Sequence, residues 1–349
     1  MWLSPKWCYI ILFILLAISL FLGAGLGALP VSPSEITGIL LQKAGIKTSF
    51  TFQPVQESVL MGIRLPRVIL AVLIGASLAI SGASMQGLFR NPLADPGLIG
   101  ISSGASFAAV GFIVMSIHFS AALHGVLGIY ALSIVTFLGA LVSTILIYRL
   151  SLIKGRTDIA MMLLAGVGIN AIAIAGTGIF TYASTESQLR SITFWTLGSL
   201  GGATWSNVLG MLPFTLIAVI VLPRMGKSLN AFALNESNAA HLGVNTEVVK
   251  RLVIVLSALC VGASVAIAGI IMFVGLIVPH IIRMAAGPDH RHLLSLSALA
   301  GAILVLNADL ISRTAFGANE LPIGIITSLI GGPFFIYLLL REKRTKMIL

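Results

Sequence analysis

Long apolar stretches separated by short polar connections make up most of this chain. A helix of about 20 residues crosses a hydrocarbon layer roughly 30 Å thick, and apolar runs of this length recur along the whole sequence. Because lipid offers backbone groups no hydrogen-bond partners, such runs are expected to be helical. The pattern predicts an all-α polytopic membrane protein of one domain, residues 1–349, with ten spans near 8–29, 68–89, 97–117, 123–148, 159–182, 206–223, 250–269, 274–287, 293–311 and 322–340.

The first and eighth spans differ from the rest. The first apolar run is longer than the roughly 7–15 residues of a signal-peptide core, so a span is expected there and not a removable signal. The eighth is short and contains Pro279. Segments of alternating polarity, which would indicate a β-barrel, are not found in the sequence.

Composition supports a membrane location, since 58% of the residues are hydrophobic and 9% are charged, with a mean hydropathy of +1.06. Soluble domains carry roughly a quarter charged residues. The net charge of +10 would suit nucleic acid, but the basic residues form no cluster interleaved with aromatic side chains. With the N-terminus inside, fifteen basic residues fall on inner segments and six on outer ones. The positive-inside rule therefore predicts that both termini are cytosolic.

An eight-residue sequence occurs twice, as GASLAISG at 75–82 and GASVAIAG at 262–269. Aligning 64–92 with 251–279 gives twelve identities in 29 positions. The copies are five spans apart and so cross the membrane in opposite directions, which indicates an inverted repeat of the kind found in transporters, spans 2–5 (about 64–182) against spans 7–10 (about 250–341). The alternative is that small residues recur because they let helices pack closely. Both interpretations predict tightly packed central helices.

A polar segment at about 229–248 joins the sixth and seventh spans on the predicted cytosolic side. Asn235 is predicted to cap a short helix that begins at Glu236, and Gly243 to end it. Asn245 or Thr246 then caps the next helix. A structured segment of this length predicts a docking surface, and a solvated connector is the alternative.

The segment FRNPLADPGLIGISSG, residues 89–104, must interrupt the helix after the second span. Pro92 and Pro96 lack amide donors and disfavour helix at the residues before them. Pro96 suits the first turn of the next helix. Irregular backbone at membrane depth is tolerated when it is buried in protein or lines a cavity. Two interpretations of this segment therefore remain, part of a gate and a simple turn between helices.

Three arginines stand on the predicted outer side, Arg64 and Arg67 at the start of the second span and Arg313 at the end of the ninth. They are expected at the interface, where an exposed guanidinium set could receive carboxylates from an outside partner. Plain membrane anchoring is the alternative. Asp309 precedes Arg313 by four residues, which favours an ion pair on the helix surface.

The outer segment 186–205 is too polar to span. Its aromatic residues predict a short interfacial helix. A sharp exit is expected at Gly201 and Gly202.

Other function classes fit poorly. The residues that an intramembrane hydrolase would use, Ser102 and Asp309 among them, lie on opposite sides of the membrane. The sequence MGKSLN resembles the end of a phosphate-binding loop, but Val221 stands where its first glycine should be. The triplet HRH at 290–292 is expected in a basic cytosolic loop and not at a metal. No filter-like segment indicates a channel. An ion-coupled carrier would need an acidic residue within a span, for which Asp309 is the candidate.

Five stretches together resemble the FecCD family, the permease subunits of ABC importers for ferric siderophores, hemin and cobalamin. They cover almost the whole chain. These are RLPR at 64–67, SGASMQGLFRNPLADPGLIGISSGA at 81–105, GGATW at 201–205, SVAIAGIIMFVGLIVPHIIR at 264–283 and ELPIGIITSLIGGPFFIYLLLR at 320–341.

The resemblance implies a type II ABC importer permease fold in the bacterial cytoplasmic membrane. It also implies a homodimer around the transport path, two cytosolic ATPase subunits that bind ATP and magnesium, and an extracytoplasmic binding protein. No cofactor, resident metal or catalytic residue is expected in this chain. By position it implies binding-protein docking at Arg64, Arg67 and Arg313, ATPase coupling at Leu229, Asn235, Glu236, Ala240, His241, Leu242, Gly243 and Val244, and a cytosolic gate at Asn91, Leu93 and Thr157.

For the substrate, FRNPLADPGLIGISSGAS and TLGSLGGATW look most like the hemin-importing branch. Met85, Met115 and His280 are candidates to touch a haem, although methionine on a transmembrane helix usually serves packing. Cobalamin and ferric siderophores remain open alternatives.

Overall fold

The computed structural model describes residues 3–47, 49–315 and 320–348, and their side chains except those of 116–127, 129, 339 and 341–348. The charged C-terminal side chains from 341 onward thus lie outside the described part. The helices in chain order are α1 (Pro5–Gly25), α2 (Pro33–Lys43), α3 (Pro54–Val59), α4 (Leu65–Phe89), α5 (Ile101–Leu127), α6 (Ala131–Leu150), α7 (Ile159–Tyr182), α8 (Glu186–Leu197), α9 (Trp205–Val221), α10 (Gly226–Leu234), α11 (Glu236–His241), α12 (Thr246–Ala268), α13 (Val274–Ala286), α14 (His290–Thr314) and α15 (Ile323–Ile348).

Ten of these helices correspond to the ten predicted spans. Seven are long and apolar enough to cross a membrane, namely α1, α4 together with α3, α6, α7, α9, α12 and α14. The other three, α5, α13 and α15, are shorter apolar helices over their described side chains. The remaining helices are short and amphipathic or polar, and one hairpin, β1 (Leu152–Ile153) with β2 (Arg156–Thr157), joins α6 to α7.

Helix α4 is the centre of the bundle. Of its most apolar 18 residues 89% are buried, against 17% for α7. It packs against α9, α12, α13 and α14. Because lipid is as apolar as leucine, helices in a membrane associate through close packing, and small residues on α4 permit it. Gly75 lies against the backbone of Gly301 on α14, and Gly82 lies against the backbone of Gly275 on α13.

Helix α12, which carries the second copy of the repeated sequence, is also largely buried. Gly262 faces α6, where an added Cβ would lie 3.3 Å from Ala140 Cβ. Gly269 differs from its counterpart Gly82, because it ends the helix with a φ of +73° that disfavours residues with a side chain. The copies therefore agree in close packing and differ in helix length, and the inverted relation stays a prediction.

Several boundaries differ from those predicted. Helix α1 starts at Pro5, and α6 starts at Ala131, eight residues later than predicted. The triplet at 290–292 is the first turn of α14 and not a loop. Asp289 caps that turn by accepting from the Arg291 backbone amide at 3.0 Å, and its bond with the Arg291 side chain holds the pKa of Asp289 well below its usual range. The reason is that an Asp at the N-cap starts a helix even among charged residues.

The outer segment forms the predicted short helix, α8, but its exit is at Gly198, with a φ of +71°, and not at Gly201 and Gly202. Residues 96–99 form one short turn of 3-10 helix begun by Pro96, as predicted, and Asp95 Oδ1 accepts from the Gly97 amide at 2.7 Å. This turn packs against α6 and α7.

Candidate functional site

The structure brings the three predicted docking arginines to one end of the bundle, the predicted outer face. Arg64 lies in the turn that leads into α4, Arg67 in the first turn of α4 and Arg313 in the last turn of α14. Asp309 on α14 and Glu320, just before α15, complete a set of five charged residues. We name these five residues the outer cluster. Three guanidinium groups face two carboxylates, so one positive charge is in excess.

Arg67 is the hub of the outer cluster. Its Nε donates to both oxygens of Asp309, at 3.0 and 3.1 Å. Its Nη1 and Nη2 donate to Oε1 and Oε2 of Glu320 at 2.9 and 3.0 Å. The paired geometry with Glu320 is the two-point arrangement that makes arginine–carboxylate bonds strong. Arg67 and Asp309 are 5% and 0% exposed, whereas the Glu320 side chain is 44% exposed.

Arg64 and Arg313 hold the end of α1. Arg64 Nη1 donates to the carbonyl oxygens of Ala24 and Gly25 at 2.9 and 2.8 Å. Arg313 donates to the carbonyls of Gly23 and Leu26, the latter at 2.9 Å. The last carbonyls of a helix lack partners within it and carry its negative dipole end, so cations suit them.

The expectation of an exposed guanidinium set is wrong. Arg64 is 4% exposed and the Arg313 side chain 7%, because both reach back to α1 for hydrogen bonds. The predicted ion pair of Arg313 with Asp309 is present, with Nε 3.6 Å from Oδ2. Sequence reasoning missed Glu320, although an acidic residue directly before an apolar run on the predicted outer side was a usable signal.

At the opposite end of the bundle, α10 and α11 form the segment predicted to couple to an ATPase. Asn235 Oδ1 caps α11 by accepting from the Ser237 amide at 3.1 Å, and Gly243 follows that helix with a φ of +81°. Asn245, and not Thr246, caps α12. These helix boundaries confirm the predicted local structure of the segment.

Exposure divides the predicted coupling residues. Leu242 is 66% exposed, and Asn235, Ala240, His241 and Gly243 are exposed beside it. Glu236 and Val244 are half-buried. Leu229 is 0% exposed within α10. It packs in the hydrophobic core and offers no surface to a partner.

The predicted gate residues lie in two connections. Asn91 Oδ1 accepts from the Leu93 amide at 2.9 Å in the exposed turn after α4. Thr157 ends the hairpin between α6 and α7 and is 3% exposed. Gly100–Gly104 has the spacing G-x-S-x-G, but it follows a helical turn and not a strand, so it does not form the strand-to-helix nucleophile elbow.

The candidate haem contacts do not form one site. Met85 is 0% exposed in the core and is not accessible to a ligand. Met115 is 43% exposed, and His280 packs edge-on against Phe334 with ring centroids 6.1 Å apart. Among the described residues no group of three or more His, Cys, Asp or Glu side chains could hold a metal ion.

Comparison with known proteins agrees with this architecture. The chain is 46% identical over 286 residues to the hemin transport system permease protein HmuU of Yersinia pestis, covering 82% of this chain and 84% of that one. It is 41% identical to the cobalamin import system permease protein BtuC of Halobacterium salinarum, covering 84% and 77%. A solved inward-facing structure described as a metal-chelate type ABC transporter superposes with a TM-score of 0.82 at 33% identity, covering 97% of this chain and 100% of that one.

These relatives are membrane permeases and not enzymes, which confirms that expectation for the present chain. Residues 13–341 match the FecCD transport family, so both the family and the multi-span permease fold predicted from the sequence are confirmed. The chain belongs to the FecCD transport family.

Proposed function

We propose that this chain is the permease subunit of an ATP-driven importer and that its substrate is hemin. The observation that carries the substrate assignment is the 46% identity to a hemin permease over 286 residues, against 41% and 40% for the cobalamin permeases. Ferric-siderophore and cobalamin transport are the alternatives within the family.

The outer cluster favours an ATP-driven importer over an ion-coupled carrier. Asp309 is the acidic candidate that a proton-coupled carrier would use. Its two oxygens accept from Arg67, and Arg313 lies within 3.6 Å. Both oxygens of Asp309 are thus engaged in a buried ion pair, which assigns this carboxylate a structural role, so the energy source is expected in a separate chain.

The proposed assembly contains two copies of this chain around the transport path, two cytosolic ATPase subunits and one extracytoplasmic binding protein. ATP and magnesium belong to the ATPase subunits. Closure of those subunits moves α11 of each copy and switches the path from outside to inside access. Both termini are proposed to be cytosolic, as the distribution of basic residues predicts.

We place docking of the binding protein at the outer cluster, through exchange of carboxylates. Glu320 is the removable partner of Arg67, because its side chain is 44% exposed while that of Asp309 is 1% exposed. An acidic residue of the binding protein would take the place of Glu320 on Nη1 and Nη2 of Arg67. Such an exchange keeps the two-point hydrogen bonds of Arg67 and replaces one carboxylate with another, so no additional unpaired charge is buried.

The substrate is tested with a strain that lacks this gene. Iron-starved cells are supplied with hemin or with ferric siderophores, and a cobalamin-dependent strain is tested in parallel. Loss of growth on hemin alone supports the proposal. Loss of growth on cobalamin or on siderophores, with growth on hemin retained, would overturn the substrate assignment.

The energy source is tested with hemin uptake into reconstituted vesicles that contain the whole transporter, with its cytosolic side and ATP in the lumen. Uptake is expected to require ATP and to persist in the presence of an uncoupler. Uptake that an uncoupler abolishes and that is indifferent to ATP would support the ion-coupled alternative.

A further inference from the structure

One buried lysine joins three elements at the predicted cytosolic end of the bundle. Lys250 lies in the second turn of α12 and is 1% exposed. Its Nζ donates to the carbonyl oxygen of Thr157 at 2.7 Å, to Oε1 of Glu247 at 3.1 Å and to Oε1 of Glu236. An ammonium group has three donors, and all three are used here.

Glu247 contacts both Lys250 and Thr157. Its Oε2 accepts from the backbone amide of Thr157 at 3.1 Å and from the Thr157 hydroxyl at 3.0 Å. Lys250 and Glu247 together therefore hold the end of β2 by three hydrogen bonds. Glu236, in the first turn of α11, is held to the same ammonium group. We name Thr157, Glu236, Glu247 and Lys250 the lysine cluster.

The local fold fixes each member of the lysine cluster. The hairpin turns through Lys154 and Gly155, whose φ values of 49° and 77° suit the tight two-residue turn of a hairpin. Asp158 then caps α7 by accepting from the Met161 amide at 2.8 Å, so Thr157 stands directly before α7. Any displacement of Thr157 is thus a displacement of the start of that helix.

We propose that Lys250 is the positioning residue that transmits movement of α11 to the start of α7. This inference rests on the proposed function, in which an ATPase subunit pushes on α11. Helices α7 and α11 are far apart along the chain and belong to different cytosolic connections. The lysine cluster links them directly through side-chain contacts. The Lys250 side chain is 2% exposed and all three of its donors are used, so it keeps its partners only if Thr157, Glu247 and the 41% exposed side chain of Glu236 move with it.

The first test measures the link itself, without any partner. Spin labels are attached at Ser237 on α11 and at Lys154 in the hairpin turn, both exposed, after replacement of Cys8 and Cys260, and the distance distribution is recorded. A narrow distribution is expected in the parent chain and a broader one in Lys250→Met. The matched control is Arg251→Gln, an exposed neighbour on the same helix, which should keep the narrow distribution.

The second test measures coupling in the reconstituted transporter, as substrate imported per ATP hydrolysed. Lys250→Met is expected to lower this ratio at least fivefold, while Arg251→Gln keeps it. Lys250→Met leaves two acidic side chains facing each other, so the double variant Lys250→Met with Glu247→Gln is measured beside it in case the single variant does not fold. Circular dichroism and thermal melting report folding for both.

The outcomes separate the two proposals. If the parent chain imports no substrate on ATP addition, the proposed function fails, whatever the distances show. If the parent couples normally while folded Lys250 variants keep both the narrow distance and the parental ratio, the lysine cluster does not transmit movement and the inference is overturned.

Discussion

Arg67 holds Glu320 through two parallel hydrogen bonds, Nη1 to Oε1 at 2.9 Å and Nη2 to Oε2 at 3.0 Å. The pair joins the first turn of α4, the most buried helix, to the connection before α15. In the proposed docking a carboxylate of the binding protein replaces Glu320, which occupies Nη1 and Nη2 of Arg67 in this structure.

Removing the competing carboxylate should strengthen docking. In Glu320→Gln the two Nη groups of Arg67 lose a charged acceptor, so a partner carboxylate meets less competition. Since a hydrogen bond to a charged group contributes about 1.5–3 kcal/mol and Glu320 is partly exposed, affinity for the binding protein is expected to rise by roughly tenfold or less. Surface plasmon resonance measures it. Glu57→Gln, which breaks an outer ion pair with Lys43, is the control and should change nothing.

Asp309 should contribute to stability independently of docking. In Asp309→Asn the guanidinium groups of Arg67 and Arg313 lose their shared buried anion and repel each other. Breaking a buried pair in this way costs about 3–5 kcal/mol. Thermal melting in detergent is expected to show a clear decrease in melting temperature. Equal melting temperatures for the variant and the parent would contradict a structural role for the pair.

Reversal of Arg64, Arg67 and Arg313 to glutamate would not be a clean docking test. Arg67→Glu would place a third carboxylate beside Asp309 and Glu320. Loss of uptake would then report misfolding as readily as failed docking, which is why Glu320→Gln is the sharper variant.

The close approach of α4 and α13 should not tolerate a side chain. A Cβ at position 82 would collide with the carbonyl group of Gly275, so Gly82→Ala is expected to lower the yield and the thermal stability of the purified chain, and Gly82→Leu to lower them further. Gly178→Ala is the matched control, because an added Cβ there meets nothing within 4 Å. A parental melting temperature for Gly82→Leu would show that the helices separate at no cost.

The exposed tip of the coupling segment should bind the ATPase subunit. Leu242 is 66% exposed beside α11, and an apolar side chain so placed suits burial in a partner. Leu242→Asp is therefore expected to reduce co-purification of the ATPase at least tenfold. The control is Leu3→Asp, which changes a 52% exposed leucine outside the segment. Equal co-purification of the ATPase with both variants would show that Leu242 is not part of the contact.

Local sequence rules accounted for much of the candidate site. Asn235, Gly243 and Asn245 act as the caps and terminator that their residue types predict, because capping depends on neighbours within a few residues. The prediction of a loop at the HRH triplet was wrong because it considered the charge of the triplet and not the N-cap residue before it, Asp289, which starts α14. Burial of the arginines could not be predicted, because their acceptors lie about 40, 240 and 290 residues away along the chain.

The sequence by itself determined the membrane class, the positions of the ten apolar helices and the family, because hydropathy and the quoted motifs are properties of continuous stretches. Apart from the pair of Asp309 with Arg313, four residues apart on one helix, only the tertiary structure decided which charges meet. In the folded chain Arg67 donates to Glu320, and Arg64 donates to a carbonyl at the end of α1. Lys250 donates to Thr157, Glu236 and Glu247. In a medium that cannot solvate a charge, each buried ion must find a partner, and helix packing determines which one is within reach.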